Sequence, residues 1–427
     1  MYDVIVVGAR AAGSPTAMLL ARKGYKVLVV DKATFPSDTM STHQVQLPGV
    51  ARLKRWGLLD GLIAANTPPA RRVRFDNGVA VLEGAFPQFE GVDAVYSPRR
   101  RILDKILVDA AIQAGAEMRE SFIVEEILME AGRVTGIRGR STSGASVTER
   151  AHIVVGADGK HSTVAKAVHP PTYHEKPALS MGYYTYWEGV PVEGGEMIGR
   201  ERRLMGAWPT NNGLVMTYVA WPVQEFHAFR SDIEGNLLKT LDSAGSLGER
   251  VRAGKRVERF VGTADLPNFF RKPYGPGWAL VGDAGLVQDP ITGQGIGDAF
   301  RDAELLADAI DAGLSRRRPL DEALAGFQQL RDHEALPMYQ FTTQLAAFAP
   351  PALEEQLMFE SLAGKQDAIN QFFGMLTGAV PMSEFFAPKN LFKVMGARRM
   401  GKIMLHNPSS RLRAKPPQAM PSSATAH

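Results

Sequence analysis

Hydrophobic positions change period from one stretch of this chain to the next, and each period predicts a different element. Residues 3–8 run continuously apolar after Asp3, the pattern of a strand covered on both faces, and Ala11 to Lys23 carries helix-forming residues up to a stop at Gly24. Lys26 to Asp31 is a second such strand, so the chain opens on a βαβ unit. A helix is predicted over 101–114, where Ile102, Leu103, Ile106, Leu107 and Ala110 share a face. Two or three strands over 133–155 then run into Ile153-Val154-Val155-Gly156. From about 171 to 274 the texture becomes short alternating segments with aromatics and turns such as Pro209-Thr210-Asn211-Asn212-Gly213, which predicts an antiparallel sheet. Trp278-Ala279-Leu280-Val281 returns to the buried parallel type and leads to a helix over about 295–313. Helical patterns fill 319 to about 405, and 406–427, rich in Pro, Ser, Ala, Lys and Arg, has the composition of a disordered tail.

Bulk composition narrows the class. At 427 residues and 45% hydrophobic content, the chain can bury two cores or one large discontinuous one. A formal charge of +4 is too dilute to mark a nucleic-acid binder, and the basic residues read as scattered, with Arg99-Arg100-Arg101 and Arg316-Arg317-Arg318 as helix-flanking or solvated runs. The absence of cysteine excludes disulfides, thiolate metal sites and cysteine nucleophiles, and suits a cytoplasmic location. The pattern enters a strand at Tyr2 and no stretch approaches eighteen apolar residues, so neither a secretory leader nor a transmembrane segment is expected. Nothing in the pattern specifies an oligomeric state.

The first candidate chemistry is a phosphate loop. Gly8-Ala9-Arg10-Ala11-Ala12-Gly13 lies between the first strand and its helix, where a pyrophosphate rests on unpaired helix N–H groups. Asp31 ends the second strand, where an acid can bond a ribose hydroxyl, and Lys32 follows it. Arg10 stands where the fingerprint has its second glycine, so it must either swing away or add its charge to the phosphates.

Two later motifs are more specific. Ile153-Val154-Val155-Gly156-Ala157-Asp158-Gly159 resembles the Asp-Gly motif of FAD-dependent aromatic hydroxylases. Gly277-Trp278-Ala279-Leu280-Val281-Gly282-Asp283-Ala284 and Pro290-Ile291-Thr292-Gly293-Gln294-Gly295 resemble their Gly-Asp motif and flavin-ring loop. In order and spacing the three motifs resemble the single-component (group A) flavin monooxygenases of para-hydroxybenzoate hydroxylase type, which share their fold with flavin halogenases and geranylgeranyl reductases. The resemblance spans about residues 1–310 and implies an α/β fold. Its FAD-binding domain is doubly wound (Rossmann-like, glutathione-reductase-type), with an inserted antiparallel β-sheet substrate domain and C-terminal helices. The expected boundaries are 1–70, 97–170 and 275–345 for FAD binding, 71–96 and 171–274 for the substrate sheet, and 346–405 for the helical region.

The resemblance implies FAD contacts from Gly8, Arg10, Ala12, Gly13, Asp31, Lys32, Arg100, Asp158, Gly159, Gly282, Asp283, Pro290, Gly293, Gln294, Gly295 and Ile296. Physical reasons stand beside it. Asp283 can accept a hydrogen bond from a ribityl hydroxyl. Gly293 and Gly295 open a helix whose N–H groups and dipole favour negative charge on a reduced flavin. Where the family has an arginine three residues after Ser162 this chain has Ala165, which weakens the expectation of nicotinamide recognition more than that of FAD.

Candidates near the chemistry are His43, Gln44 and Pro290, on segments that pass the flavin ring in relatives. Tyr184, Tyr186, Trp208 and Tyr218 belong to the aromatic-rich strands and are candidates for lining an apolar pocket; Leu345, Phe348, Phe372, Phe373, Phe385 and Phe386 either close that pocket or pack on the sheet. The resemblance implies an NADH- or NADPH-dependent monooxygenase that hydroxylates an aromatic or lipophilic molecule with molecular oxygen through a flavin C4a-hydroperoxide. Its rivals are an alkene-reducing enzyme of geranylgeranyl-reductase type, a halogenase, whose Trp-x-Trp-x-Ile-Pro signature is only echoed at Tyr186-Trp187-Glu188-Gly189-Val190-Pro191, and a non-catalytic redox sensor.

Overall fold

The computed structural model describes residues 1–141 and 144–406. The expected disordered tail, all but His406, lies outside the described residues.

The apolar runs build one parallel sheet. Tyr2–Val7 pairs with Val27–Val30 on one side and with Ser146–Gly156 on the other, and Glu117–Arg119 and Trp278–Leu280 extend it in parallel. Strand Ser146–Gly156 changes character half-way. Through Arg150 it alternates exposed and half-buried and runs antiparallel to Arg133–Arg140, whereas from Ala151 it runs parallel to Tyr2–Val7 and is almost wholly buried. One face of the sheet, through Val4 and Val6, packs on helices Gly13–Arg22, Arg100–Gln113 and Gly295–Leu314. The other face, through Ile5 and Val7, is covered by Ile127, Val134 and Ile137 of an antiparallel meander. The carboxyl ends of Tyr2–Val7, Ser146–Gly156 and Trp278–Leu280 therefore lie side by side, and each leads into one of the sequence motifs.

A second sheet runs in the order Lys255–Arg256, Ser180–Glu188, Val215–Pro222, Arg203–Pro209, Gly195–Arg200, Arg72–Asp76, Val81–Ala85. It corrects the antiparallel expectation in one place: Gly195–Arg200 pairs in parallel with Arg72–Asp76, the strand contributed by the earlier chain segment. A second correction concerns 226–253, which folds as helices Phe226–Arg230, Ile233–Asp242 and Ser246–Ala253 on the outer face of this sheet. Phe226, Phe229, Ile233, Leu237 and Leu241 recur at helical spacing, so the signal was present beneath the Gly and Asn residues. Alternation along the strands sends Tyr183 and Trp187 to those helices and Tyr184 and Tyr186 inward.

Helices Leu320–Ala346, Leu353–Leu362, Gln366–Thr377, Met382–Phe385 and Pro388–His406 complete the described chain. The last is kinked at Gly396, whose φ of 73° and ψ of 164° interrupt the helix. No helix among the described residues is long and apolar enough to cross a membrane.

Candidate functional site

Backbone contact joins the motifs. A Cβ on Gly8, whose φ is 103°, would overlap the Ala157 carbonyl, so the phosphate loop and the Asp158–Gly159 turn touch main chain to main chain. A Cβ on Gly282 would lie 2.7 Å from that of Ala12 and 3.6 Å from that of Ala299, which wedges the Gly282–Asp283 turn between the first turns of helices Gly13–Arg22 and Gly295–Leu314. Neither helix has a side-chain N-cap, since Ala12 and Gln294 occupy those positions without a capping bond.

Around the first loop, Asp31 accepts from Ala9 N–H at 2.7 Å and from Ala33 N–H at 2.8 Å, leaving carboxylate lone pairs for a further donor. Lys32 is exposed. Arg10 swings away from the turn: its Nη1 lies 2.6 Å from the fully buried Asp104 and its Nη2 donates to Ser37 Oγ at 3.0 Å. Arg100 pairs with the same carboxylate at 2.9 Å. Asp104, four residues after Arg100 on one helix face, was not among the expected site residues, although that spacing was its signal.

Asp158 has a local duty. Its Oδ2 accepts from Thr163 N–H at 2.6 Å at the start of helix Thr163–Val168, and burial raises its carboxyl pKa. Its Oδ1 is buried and has no hydrogen-bond partner among the described residues. Asp283 is the opposite case. It is solvent-exposed, and no described group hydrogen-bonds it.

The loop Pro290–Thr292 is held from behind. Asp289, 1% exposed, accepts from Ile291 N–H at 3.1 Å and from Ser180 Oγ at 2.6 Å, and burial pushes it up to about 6. Gln46 Nε2 donates to the Thr292 carbonyl at 3.2 Å, and Gln294 Nε2 to that of Leu376 at 2.8 Å. Gly295 is exposed, and the space around its Cβ position and that of Gly297 is open to 4 Å. Ile296 is buried.

His43 and Gln44 are more enclosed than their loop position suggested. His43, 1% exposed, shares a 2.7 Å hydrogen bond between Nε2 and Tyr186 Oη, with the rings of Tyr184 and Tyr186 edge-on to it. Burial, and then the Arg100 charge, push its imidazole down to about 3, so it is neutral. Arg99 stacks 4.0 Å over Tyr186 while pairing with Asp38 and Glu258. Gln44 Nε2 donates to Ser97 Oγ at 2.8 Å, and its aliphatic stem would meet a Cβ on Gly293 at 3.0 Å.

Beside Ile291 and Thr292 opens a cavity of about 620 Å³, walled by the second sheet and the C-terminal helices. Trp208, Phe75, Phe372, Phe373, Met358 and Phe386 are among its lining residues, and the ionisable ones are Glu354 and Glu355. Of the four expected pocket aromatics, Trp208 lines it; Tyr184 and Tyr186 pack on His43, and Tyr218 packs against Ile291 and Leu204. Leu345 also lines the cavity, Phe385 is buried, and Phe348 packs beside Ala346.

A family model described as "FAD binding domain" matches residues 1–233, more than half of the chain. The chain belongs to this FAD-binding family. It is 26% identical over 385 residues to digeranylgeranylglycerophospholipid reductase 1 of Methanopyrus kandleri, covering 88% of this chain and 98% of that protein. Its fold matches the flavin-dependent brominase Bmp2 with a TM-score of 0.78, at 17% identity over 96% of this chain and 99% of that one. It also matches a probable FAD-dependent monooxygenase, pqsL, from Pseudomonas aeruginosa with a TM-score of 0.67, at 20% identity over 88% of this chain and 99% of that one. The protein is an FAD-dependent oxidoreductase of this superfamily. Its own geometry fits the cofactor: two uncapped helix N-termini flank an unpaired, accessible carboxylate, which is a donor set for a pyrophosphate, a polyol and an electron-rich ring edge.

Proposed function

We propose that this flavoprotein acts on a lipophilic small molecule held in the 620 Å³ cavity, and that the reaction is saturation of a carbon–carbon double bond. In this reading the N-terminus of helix Gly13–Arg22 and Asp31 hold the nucleotide end of FAD, Asp283 its ribityl chain, and the N-terminus of helix Gly295–Leu314 its pyrimidine edge. Bound FAD supplies the two-electron exchange, recharged by NADH or NADPH. Segments 1–70, 97–170 and 275–345 serve the cofactor, and 71–96, 171–274 and the helices of 346–405 serve the substrate.

The cavity lining carries the proposal. Apart from Glu354 and Glu355 it presents no ionisable side chain, and Glu355 is occupied as a cap, accepting from Ala352 N–H at 3.2 Å and Gln344 Nε2 at 3.2 Å. Such a wall rewards apolar surface and gives a charged substrate nothing to pair with. Oxygen transfer to an aromatic ring gains from a base that ionises a phenol; saturating an alkene does not. The reductase named above is matched over 88% of this chain, which supports the same choice. Hydroxylation with molecular oxygen is the second reading, favoured by the fold shared with the monooxygenase pqsL.

One incubation separates them. Holoprotein is given NADPH or NADH and a polyprenyl alcohol, with and without oxygen. Alkene reduction gives a product two hydrogens heavier without oxygen; a product one oxygen atom heavier, formed only in air, moves the assignment to hydroxylation. A halide-dependent product moves it to halogenation.

A further inference from the structure

Charge is not spread evenly along this chain. Residues 1–387 hold 41 Lys and Arg against 45 Asp and Glu, whereas residues 388–427 hold eight Lys and Arg and no acid. A formally +4 protein is therefore an acidic body with a basic terminus, which corrects the scattered distribution read from the sequence.

Five of those eight, Lys389, Lys393, Arg398, Arg399 and Lys402, lie on the kinked helix Pro388–His406. Among the described residues only Arg399 of the five has an acidic partner, Glu360 at 3.9 Å. Lys389, Lys393, Arg398 and Lys402 are exposed. So are two large apolar side chains between them and beyond, Phe392 at 57% and Leu405 at 86%. The inner side of the same helix is different: Leu391, Met395, Met400 and Ile403 line the apolar cavity. One segment is at once the inner wall of the cavity and an outer surface of cations interleaved with exposed apolar groups.

In water that outer surface is costly, because Phe392 and Leu405 gain nothing from exposure. At a bilayer interface the same pattern is favourable: the apolar side chains enter the headgroup boundary while lysine and arginine meet anionic headgroups. Nucleic acid would use the charges but leave Leu405 exposed. We propose that helix Pro388–His406 docks this protein on an anionic phospholipid bilayer, with its inner side admitting a lipophilic molecule from that surface to the cavity. Docking stands apart from the reaction assigned above; admission rests on the lipophilic reading of the cavity.

The test is co-sedimentation of the FAD-loaded protein with vesicles of phosphatidylcholine alone and with about one-third phosphatidylglycerol, at low and at 1 M salt. Binding is expected only to the anionic vesicles, and salt at that level removes it by screening charge to within about 3 Å. The K389E/K393E/R398E variant is expected to bind at least about tenfold more weakly, and F392S/L405S likewise, both with an unchanged flavin spectrum. Reversing the distant run as R316E/R317E/R318E should leave binding unchanged. The proposal is overturned if the protein stays in the supernatant with every vesicle, if the distant reversal weakens binding as much as the helix variant, or if the protein binds single-stranded RNA but no vesicle. Docking without any turnover of a polyprenyl alcohol would sink the reading of the cavity and leave the docking intact.

Discussion

Arg10 and Asp104 form a 2.6 Å ion pair that joins the phosphate loop to the helix Arg100–Gln113, and Asp104 simultaneously holds Arg100. The side chain that breaks the dinucleotide fingerprint is thus neutralised rather than aimed at phosphates. Removing either end has unequal consequences. In Arg10→Gly the buried carboxylate keeps Arg100, so FAD binding should survive with a stability loss within about 1 kcal/mol, because Arg10 is partly exposed. In Asp104→Ala two guanidinium groups lose their shared partner, and the cost should reach about 3–5 kcal/mol. Urea unfolding of the two apoproteins, with FAD titration of each, measures the contrast. Equal losses would show that Asp104 is not the hub.

His43 should stay neutral throughout the physiological range. Its folded pKa of about 3 lies below the ordinary value of 6.5, so its contribution to stability is complete above pH 6.5 and is lost as pH falls toward 3. His43 has a φ of 66°, a conformation that asparagine tolerates. His43→Asn should therefore melt below the wild type at pH 7.5, where it weakens the bond to Tyr186 at a cost of about 1 kcal/mol. At pH 4.5 the order should reverse, because the variant has no imidazole to protonate. Melting curves at the two pH values decide it, and a gap that keeps its sign would reject the neutral, buried assignment.

How far the site could be read from sequence follows from the range of the interactions. The βαβ opening, the three motifs and the long helix after Gly295 were legible because each depends on neighbours within a few residues or on a continuous apolar strand. Partners far apart in the chain were not: Asp104 meets Arg10 across 94 residues, and Tyr186 meets His43 across 143. Asp289 carries no signal of its own beside Pro290 in the sequence, yet it is the group that ties the Pro290–Thr292 loop to Ser180 of the second sheet. The cavity was half legible. Trp208 was visible in its strand and Phe372, Phe373 and Phe386 in the later helices, but Tyr184, Tyr186 and Tyr218 do not line the cavity, because which aromatics face the same space depends on how the C-terminal helices cover the sheet.

Asp289 should give a pH dependence opposite to that of His43. Its folded pKa of about 6 lies above the unfolded value, so the stability it contributes is complete below about pH 4 and is lost as pH rises through 6. Asp289→Asn keeps the shape and cannot ionise. The apoprotein of this variant should gain on the wild type between pH 5 and pH 7.5 by about 1.4 kcal/mol, about one pKa unit. The check is the difference in unfolding free energy at the two pH values. A difference that does not change with pH would mean that Ser180 and Ile291 already hold the carboxylate ionised.

Gly195 and Trp208 provide a way to narrow the cavity without touching the cofactor site. A methyl group on Gly195 would overlap the six-membered ring of Trp208, which lines the cavity and cannot move outward through its own strand. Gly195→Ala must therefore push the indole into the space where substrate is proposed to lie, at an overpacking cost of about 1–3 kcal/mol. FAD affinity should be unaffected, because both residues belong to the second sheet and not to the Gly8–Gly13, Asp158–Gly159 or Gly282–Asp283 turns, while KM for a lipophilic substrate should rise about tenfold, equivalent to about 1.4 kcal/mol of lost binding. Shrinking the ring relieves the overlap, so Trp208→Phe placed in the Gly195→Ala background should restore KM. A tenfold rise that the second substitution leaves in place would mean that the strand itself, and not the indole, had been displaced.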